Sequence, residues 1–186
     1  MEQCSSEQTA RYKQALVKRL LDNDSTEAPH TLMDLTGGFG IDFSFLAPLF
    51  DRAVYMERQP ELCRIAAHNF KTLGLAQAEI RETDSSLSPD EWPDATCCFV
   101  DPARRDTVGR KTVAIEDCEP DLSILQEAIR RKAAFSLIKL SPMLDIRTAL
   151  RSLAHVPKST PSAYKGMQGT AVGHDTAKPE RRRAIA

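Results

Sequence analysis

Apolar residues recur along residues 1–153 with two spacings that alternate along the chain. Short, nearly continuous apolar runs predict five strands, at residues 31–35, 53–56, 78–82, 96–100 and 134–140. Helical spacing predicts helices at residues 5–21, 41–50, 61–73, 122–132 and 144–153. Because strands alternate with helices, the pattern predicts an α/β protein with a mostly parallel sheet that helices cover on both faces.

Local signals mark where several of these elements begin and end. Ser5, with Gln8 three residues later, has the pattern of a helix N-cap with a capping box. Pro48 predicts an interruption or bend in the second helix, and Gly74 is a suitable residue to end the third.

The composition of the chain changes after residue 153. The 186 residues carry a formal charge of −1, from 25 Lys and Arg and 26 Asp and Glu. Residues 154–186 hold six Lys or Arg and two Asp or Glu, a charge of +4, which leaves −5 for residues 1–153. The segment 154–186 has no Leu or Phe and no regular apolar spacing, so we expect a disordered basic tail. Its arginines at 181–183 are either a nucleic-acid contact or, as we favour, a solvated basic end.

The sequence, 41% apolar, has no feature of a membrane or exported protein. No apolar run approaches the roughly 18 residues that would span a bilayer, and the first residues lack the basic and apolar parts of a signal peptide. Five cysteines without a C-x-x-C pair predict free thiols in a reducing compartment and no zinc site. We therefore expect a cytoplasmic protein that binds neither metal nor membrane, and the sequence leaves its oligomeric state open.

An acidic residue stands at or just after the end of each of the first four predicted strands: Asp34, Glu57, Asp84 and Asp101. Ligands of parallel α/β sheets bind at the carboxyl ends of the strands. A glycine loop, residues 37–40, follows the first strand alone and lets the backbone turn tightly near a ligand. Taken singly, each feature has a simpler explanation. The glycine loop is then a turn, Glu57 a surface acid, Asp84 the cap of a turn, and Asp101 the end of a strand. Their order and spacing together predict a binding site.

The charges favour one class of ligand over another. Asp34, beside the glycine loop, would repel a pyrophosphate and attract a cationic amino group. The glycine pattern of dinucleotide sites also fails, since Phe43 stands at the third glycine position. Glu57, 20 residues beyond Gly37, has the spacing of an acid that binds two ribose hydroxyls. Asp84 could accept a hydrogen bond from an adenine amine.

These residues resemble the motifs of class I S-adenosylmethionine-dependent methyltransferases. Residues 34–40, Asp-Leu-Thr-Gly-Gly-Phe-Gly, resemble the first motif in the form common among RNA methyltransferases, and Asp101-Pro102 resembles the fourth. The similarity extends to a bacterial subfamily that carries a C-terminal THUMP-like domain. It runs from about residue 2 to about residue 153, in segments 3–7, 34–40, 101–105, 117–121 and 139–145.

The resemblance implies a Rossmann-like sheet, S-adenosylmethionine as cofactor and methyl transfer to a nucleobase nitrogen of RNA. The cofactor-binding residues that it implies are Asp34, Thr36, Gly37, Gly38, Phe39, Gly40, Glu57, Arg58 and Asp84. The catalytic residues that it implies are Asp101, Pro102, Ala103 and Arg104. Contacts to an RNA backbone are expected from Lys13, Arg105 and Lys139. The amine of Lys139, at the end of a buried strand, must reach solvent or a carboxylate, for which Asp117 is the nearest obvious candidate.

The fourth motif departs from the family pattern. Ala103 and Arg104 stand where amino-methylating enzymes have Pro and an aromatic residue that stacks on the target base. Arg104 then stacks on a base, contacts a phosphate, or forms a structural ion pair with Asp106 or Glu116. These alternatives leave the identity of the target base open.

The number of strands departs from the pattern as well, because the family sheet has seven strands and residues 1–153 predict five. We expect a partial methyltransferase domain at 1–153 and a tail at 154–186 that is either frame-shifted or divergent. Two other functions stay open. One is a truncated, inactive cofactor-binding fragment whose apolar fifth strand is an exposed edge. The other is an NAD(P)-binding Rossmann protein, against which Asp34 argues.

Overall fold

The computed structural model describes residues 4–104, 118–140 and 170–174. The strands in these ranges are β1 (Thr31–Asp34), β2 (Arg52–Glu57), β3 (Ala78–Glu82), β4 (Ala95–Val100), β5 (Ala103–Arg104), β6 (Cys118–Glu119), β7 (Ala133–Lys139) and β8 (Thr170–His174). Six of them form one sheet in the order β3-β2-β1-β4-β7-β8, and β5 and β6 form a separate antiparallel pair. In the large sheet β8 alone is antiparallel to its neighbour. The predicted mostly parallel sheet is confirmed: the five predicted strands are β1, β2, β3, β4 and β7, and β8 is a sixth strand that was not predicted.

The helices of the described residues are α1 (Glu7–Asp22), α2 (Ile41–Leu46), α3 (Pro60–Thr72) and α4 (Leu122–Lys132), with 3₁₀ turns at Ala47–Leu49 and Pro89–Glu91. The predicted interruption near Pro48 is confirmed, since α2 ends at Leu46 and the chain continues as a 3₁₀ turn. The predicted N-cap of the first helix is wrong by one residue. Ser6 caps α1 and accepts a hydrogen bond from the Thr9 N–H, whereas Ser5 makes other contacts described below.

The strand β8 corrects two expectations about the C-terminal part of the chain. Its five residues lie in the segment expected to be disordered, and they pair with β7 from Phe135 to Lys139. Backbone N–H and C=O groups can pair without any apolar spacing, which is why the pattern of side chains gave no sign of this strand. The β7 strand is therefore covered by a neighbour and is not an exposed edge. The predicted helix at 144–153 and the remainder of the tail lie outside the described residues.

Helices cover both faces of the sheet, as predicted. On one face, a core cluster joins α1, α2 and α3 to the sheet through buried residues such as Val17, Phe43 and Phe70. On the other face, α4 packs on the sheet through residues such as Leu122 and Leu125. Burial of such side chains contributes about 1.5–3 kcal/mol each, so both layers hold the sheet in place.

The strand order reverses between β1 and β4, because the chain runs outward from β1 to β3 and then returns to place β4 beside β1. Such a switch point leaves a crevice at the carboxyl ends of the two strands. In the part of the chain that the structure describes, no helix has the length and apolar character to cross a membrane. Nor do the described residues contain a group of three or more His, Cys, Asp or Glu side chains placed to hold a metal ion.

Candidate functional site

A pocket of about 330 Å³ opens at the carboxyl ends of the central strands. The loop after β1, the ends of β2, β3 and β4, and part of β6 form its walls. The predicted site residues that line it are Thr36, Gly37, Gly38, Phe39, Gly40, Glu57, Arg58, Asp84, Asp101 and Ala103. Its volume is in the range of small-molecule and cofactor sites. The structure thus brings together residues that lie up to 67 positions apart in the sequence, from Thr36 to Ala103.

The glycine loop approaches β2 so closely that a side chain would not fit. A Cβ atom on Gly37 would lie 2.2 Å from the ring of Tyr55, which is completely buried. The Tyr55 hydroxyl donates a hydrogen bond to the Gly38 carbonyl and holds the loop against the strand. Gly40 has a φ of +73°, a conformation that residues with a side chain rarely adopt. The glycines therefore shape the wall of the pocket, as the motif predicts.

Glu57 ends β2 and fixes both the glycine loop and the start of α3. Its Oε2 accepts a hydrogen bond from the Gly38 N–H at 2.8 Å, and its Oε1 accepts one from the Gln59 N–H at 2.8 Å. Each carboxylate oxygen has a second lone pair. Both oxygens can therefore accept a further hydrogen bond, which is what a pair of ribose hydroxyls would offer.

Asp34 ends β1 and lies beneath the loop, with 1% of its surface exposed. Its Oδ1 accepts a hydrogen bond from the Thr36 N–H at 2.9 Å. Removal from water raises the pKa of the Asp34 carboxyl from 3.8 to about 8, and the Thr36 hydrogen bond offsets only part of that shift. The nearby carboxylates of Asp42, Asp101 and Glu57 raise this pKa further. Asp34 is therefore mostly protonated at neutral pH, and a cation in the pocket would favour its ionised form.

Asp84 follows β3 and has one of the two roles that the sequence left open. It caps a turn, because its Oδ1 accepts hydrogen bonds from the Ser86 N–H at 2.9 Å and the Ser86 hydroxyl at 2.6 Å. These bonds hold the pKa of Asp84 below its usual range. Arg58 lies 4.0 Å from Asp84 Oδ2 and forms an ion pair with Glu119 of β6. The Asp84 carboxyl on this wall of the pocket is therefore ionised at neutral pH.

Asp101 follows β4 and meets Lys139 at the end of β7. The Lys139 Nζ lies 2.5 Å from Asp101 Oδ2, and Lys139 is 4% exposed. Burial raises the pKa of Asp101, and the Lys139 ammonium acts in the opposite direction. The Asp101 N–H also donates to the Thr36 hydroxyl at 2.7 Å, which links the ends of β1 and β4. The carboxylate that Lys139 meets is therefore Asp101; the expected partner Asp117 lies outside the described residues.

Lys13 does not meet the expectation of contact with an RNA backbone, because it is completely buried. Its Nζ lies 2.6 Å from Asp42 Oδ1 and donates a hydrogen bond to the Ser5 hydroxyl at 2.7 Å. The Ser5 hydroxyl donates in turn to Asp42 Oδ2 at 2.7 Å. Asp42 was not among the predicted site residues, although Ser5 and Asp42 both line the pocket. The signal was that Lys13 falls between Ala10 and Val17 on the apolar stripe of α1, where a charge needs a buried partner.

Pro102 and the backbone of Arg104, which were also predicted to belong to the site, directly follow Asp101. Pro102 is half-buried and leads into β5, where the backbone of Arg104 pairs with Cys118. Phe39, on the glycine loop, is 45% exposed although it is large and apolar. Arg105 lies outside the described residues, so its predicted contact with RNA stays a prediction.

No family model and no curated protein matches the chain. Several solved structures are similar to it, including a protein of Porphyromonas gingivalis assigned to the methyltransferases, with 30% identity and a TM-score of 0.74. An rRNA methylase of Streptococcus thermophilus matches 87% of the chain over 92% of its own length, with 13% identity and a TM-score of 0.57. A protein of Streptococcus mutans, also assigned to the methyltransferases and solved with S-adenosylhomocysteine, matches 85% of the chain over 94% of its own, with 10% identity and a TM-score of 0.58. The chain has a Rossmann-like methyltransferase fold.

The match to the Porphyromonas gingivalis protein covers 93% of the chain and 41% of that protein. The chain therefore spans about two fifths of the length of this relative. The pocket lies at the switch point between β1 and β4, which is where sheets of this kind bind their ligands. The fold and the position of the pocket agree with the resemblance seen in the motifs.

Proposed function

We propose that the chain is an S-adenosylmethionine-dependent methyltransferase that acts on a nucleobase nitrogen of RNA. One observation carries the proposal: Glu57, Asp84 and Asp101, at the ends of β2, β3 and β4, line one pocket beside a glycine loop, and Asp34 of β1 is buried beneath that loop. We further propose that the chain corresponds to the methyltransferase part of the bacterial subfamily with a THUMP-like domain, and that it acts in the cytoplasm. The motifs and the partial coverage of the Porphyromonas gingivalis protein support this assignment.

The residues of the pocket fit S-adenosylmethionine. Its ammonium group, ribose hydroxyls and adenine amine are all hydrogen-bond donors, and carboxylates accept such bonds well. We assign the ammonium to Asp34 with the nearby loop backbone, the ribose to Glu57 and the adenine amine to Asp84. A dinucleotide fits less well, because the cation Arg58 on the wall is already paired with Glu119 and the acids would repel a pyrophosphate. When bound, S-adenosylmethionine would supply an electrophilic methyl group on its sulfonium.

Asp101 is the residue that we assign to the methyl acceptor. Its Oδ2 is paired with Lys139, and its Oδ1 can accept a hydrogen bond from an N–H of the acceptor. Such a bond would orient the nitrogen lone pair, and orientation is the main contribution that an enzyme makes to a displacement of this kind. The proton of the acceptor can pass to Asp101 Oδ1 or to water after transfer, so that no strong base is needed beforehand.

RNA is the proposed substrate because the first motif has the form found among RNA methyltransferases and because some neighbours in fold are rRNA methylases. The test is calorimetry with S-adenosylmethionine and, separately, with NAD⁺, followed by transfer of a tritiated methyl group to transcribed ribosomal RNA. We expect binding of S-adenosylmethionine, no binding of NAD⁺, and label on a base nitrogen. Absence of S-adenosylmethionine binding by the folded protein would overturn the cofactor assignment. Label on ribose would overturn only the acceptor.

Replacing Glu57 with Gln should weaken S-adenosylmethionine binding at least about tenfold, a loss of about 1.4 kcal/mol. The Gln amide must place its NH₂ group toward either the Gly38 N–H or the Gln59 N–H, so one of the two hydrogen bonds becomes a contact between two donors. Calorimetry measures the affinity, with Glu61→Gln as the control. Glu61 is an exposed acid four residues along the chain that pairs with Arg64. Equal losses in both variants would argue against a specific role for Glu57.

Replacing Asp101 with Asn should lower the rate of methyl transfer by about 10²-fold or more while the affinity for S-adenosylmethionine changes less than about threefold. The amide keeps one acceptor oxygen, but it cannot take a proton and would turn its NH₂ group toward either Lys139 or the acceptor. Single-turnover transfer to ribosomal RNA measures the rate, and calorimetry measures the affinity. A parallel loss of affinity and rate would place Asp101 in cofactor binding and not at the acceptor.

A further inference from the structure

A completely buried lysine lies behind the pocket, and the proposed reaction does not use it. Lys13 of α1 contacts three separate parts of the fold: Ser5 before the helix, Asp42 at the start of α2, and Phe99 near the end of β4. Its Nζ lies 5.5 Å from the centre of the Phe99 ring, within the range of a cation–π contact. A lysine is almost never fully buried unless its charge is compensated. These contacts therefore fix the relative positions of the three parts.

The partners of Lys13 are themselves residues of the pocket. Ser5, Asp42 and Phe99 all line it, and so does Cys4, which precedes Ser5. We call Cys4 and Ser5 the N-terminal wall. The Ser5 hydroxyl is held from two sides, since it accepts from Lys13 and donates to Asp42 at 2.7 Å in each case. The wall is thus tied to the rest of the pocket through the Lys13 ammonium.

Lys13, which holds the wall through Ser5, lies close enough to Asp101 for that carboxylate to act on its pKa. The charges that act on Lys13 are those of Asp42 of α2, Asp101 after β4 and Lys139 of β7. Burial lowers the pKa of Lys13, and the Asp42 carboxylate acts in the opposite direction. The pair Lys13–Asp42 and the pair Lys139–Asp101 therefore belong to one charged cluster beside the proposed acceptor position.

We infer that Lys13 is a positioning residue that holds the N-terminal wall in place and so completes the pocket beside Asp101. The inference rests on the proposed function for the identity of the ligand, but the position of the wall in the free protein does not depend on it. An ion pair with a purely structural role would stabilise α1 and leave the surroundings of Cys4 unchanged. The two roles differ in what happens at Cys4 when Lys13 loses its charge.

The reactivity of the Cys4 thiol reports on the wall. Cys4 is half-buried, whereas Cys63, Cys97, Cys98 and Cys118 are buried, so N-ethylmaleimide should modify Cys4 first. In the wild-type protein we expect saturating S-adenosylmethionine to slow the reaction of Cys4 with N-ethylmaleimide at least about tenfold, because a ligand in the pocket covers the thiol. In Lys13→Met we expect modification of the free protein to be about tenfold faster and the protection by ligand to be mostly lost.

Lys18, one turn and a half beyond Lys13 in α1, provides a matched control. Lys18→Met removes an exposed lysine that pairs with Asp22, and it should leave Cys4 modification unchanged. Ser5→Ala removes the link to Lys13 without leaving a buried charge unpaired, so it decides the question if Lys13→Met does not fold. We expect Ser5→Ala to increase the rate of modification about threefold.

Normal Cys4 modification in folded Lys13→Met and in Ser5→Ala would overturn the inference. If the wild-type protein binds no S-adenosylmethionine, the proposed function fails. The rate at which N-ethylmaleimide modifies Cys4 in the ligand-free variants still tests whether Lys13 holds the N-terminal wall. If ligand binds and protects Cys4 equally in all variants, the proposed function stands and the positioning role of Lys13 fails. The two failures are therefore distinguishable.

Discussion

Asp34→Asn is expected to stabilise the free protein at pH 8 and to weaken its binding of S-adenosylmethionine. The Asp34 carboxyl has a pKa of about 8 in the folded state, against an ordinary value of 3.8. Between these two values the folded state keeps a proton that the unfolded state has released. The free energy of unfolding therefore falls by about 1.4 kcal/mol per pH unit on account of this group, and the fall ends above pH 8. Asn is neutral at every pH and avoids this loss.

Urea unfolding of both proteins between pH 5 and pH 9 measures the effect. The advantage of Asp34→Asn should grow from pH 5 to pH 8, reach on the order of a few kcal/mol, and stay constant above that pH. The Asn oxygen can still accept the Thr36 hydrogen bond, so little structure is lost. Asp22→Asn, at an exposed acid that pairs with Lys18, is the control and should show no such growth. A stability difference at Asp34 that does not vary with pH would contradict the raised pKa.

Binding of a cation tests the second half of the same prediction. A bound ammonium group favours the ionised form of Asp34, so the affinity of the unmodified protein should rise from pH 6 to pH 8. In Asp34→Asn the affinity should be about tenfold lower at pH 8 and should vary less with pH, since about 1.4 kcal/mol corresponds to a factor of ten. Calorimetry at three pH values measures both. Equal affinities would mean that Asp34 shapes the loop without attracting the ligand.

Gly37→Ala is expected to destabilise the fold by about 3 kcal/mol or more and to abolish binding. The new Cβ would lie 2.2 to 2.7 Å from three carbons of the Tyr55 ring. That ring cannot move aside easily, because it packs against Phe43 and Phe70 and its hydroxyl holds the Gly38 carbonyl. The loop must shift instead, and the hydrogen bond between Gly38 and Glu57 moves with it.

Two comparisons show whether the contact with Tyr55 is the cause. Gly74→Ala replaces a glycine of positive φ, +70°, a backbone conformation that Gly37 does not have, but nothing lies within 4 Å of its new Cβ. It should cost only about 1 kcal/mol and leave binding unchanged. Adding Tyr55→Leu to Gly37→Ala makes room and should recover part of the lost stability. Thermal unfolding and calorimetry measure both properties, and a mild effect of Gly37→Ala with normal binding would contradict the close approach.

The motifs alone predict much of the candidate site. Parallel strands end at one edge of a sheet, so acids that follow successive strands come together whatever the details of packing. Asp34, Glu57, Asp84 and Asp101 could be placed together for that reason. The bounds of β3 and α4 were predicted to the residue, because an apolar period is a local property of the sequence.

Other features depended on contacts between distant residues. The pairing of β8 with β7 uses backbone groups, which every residue except proline has, so side chains gave no sign of it. Lys13 was expected to contact an RNA backbone, and only the tertiary structure shows Asp42 and Ser5 around its amine. Lys139 likewise needed a carboxylate, and the choice of Asp101 depended on which strands are neighbours.

Spacing along the chain sets the order of β1 to β4, β7 and the helices between them, the glycine loop and the acids at the strand ends, so the pattern of residues predicts each of these. The tertiary structure decided which acids are ionised and which lysines are buried. Burial and charged neighbours control a pKa, and both come from residues far apart in the chain, as at Asp34 beneath its loop and Lys13 behind the pocket.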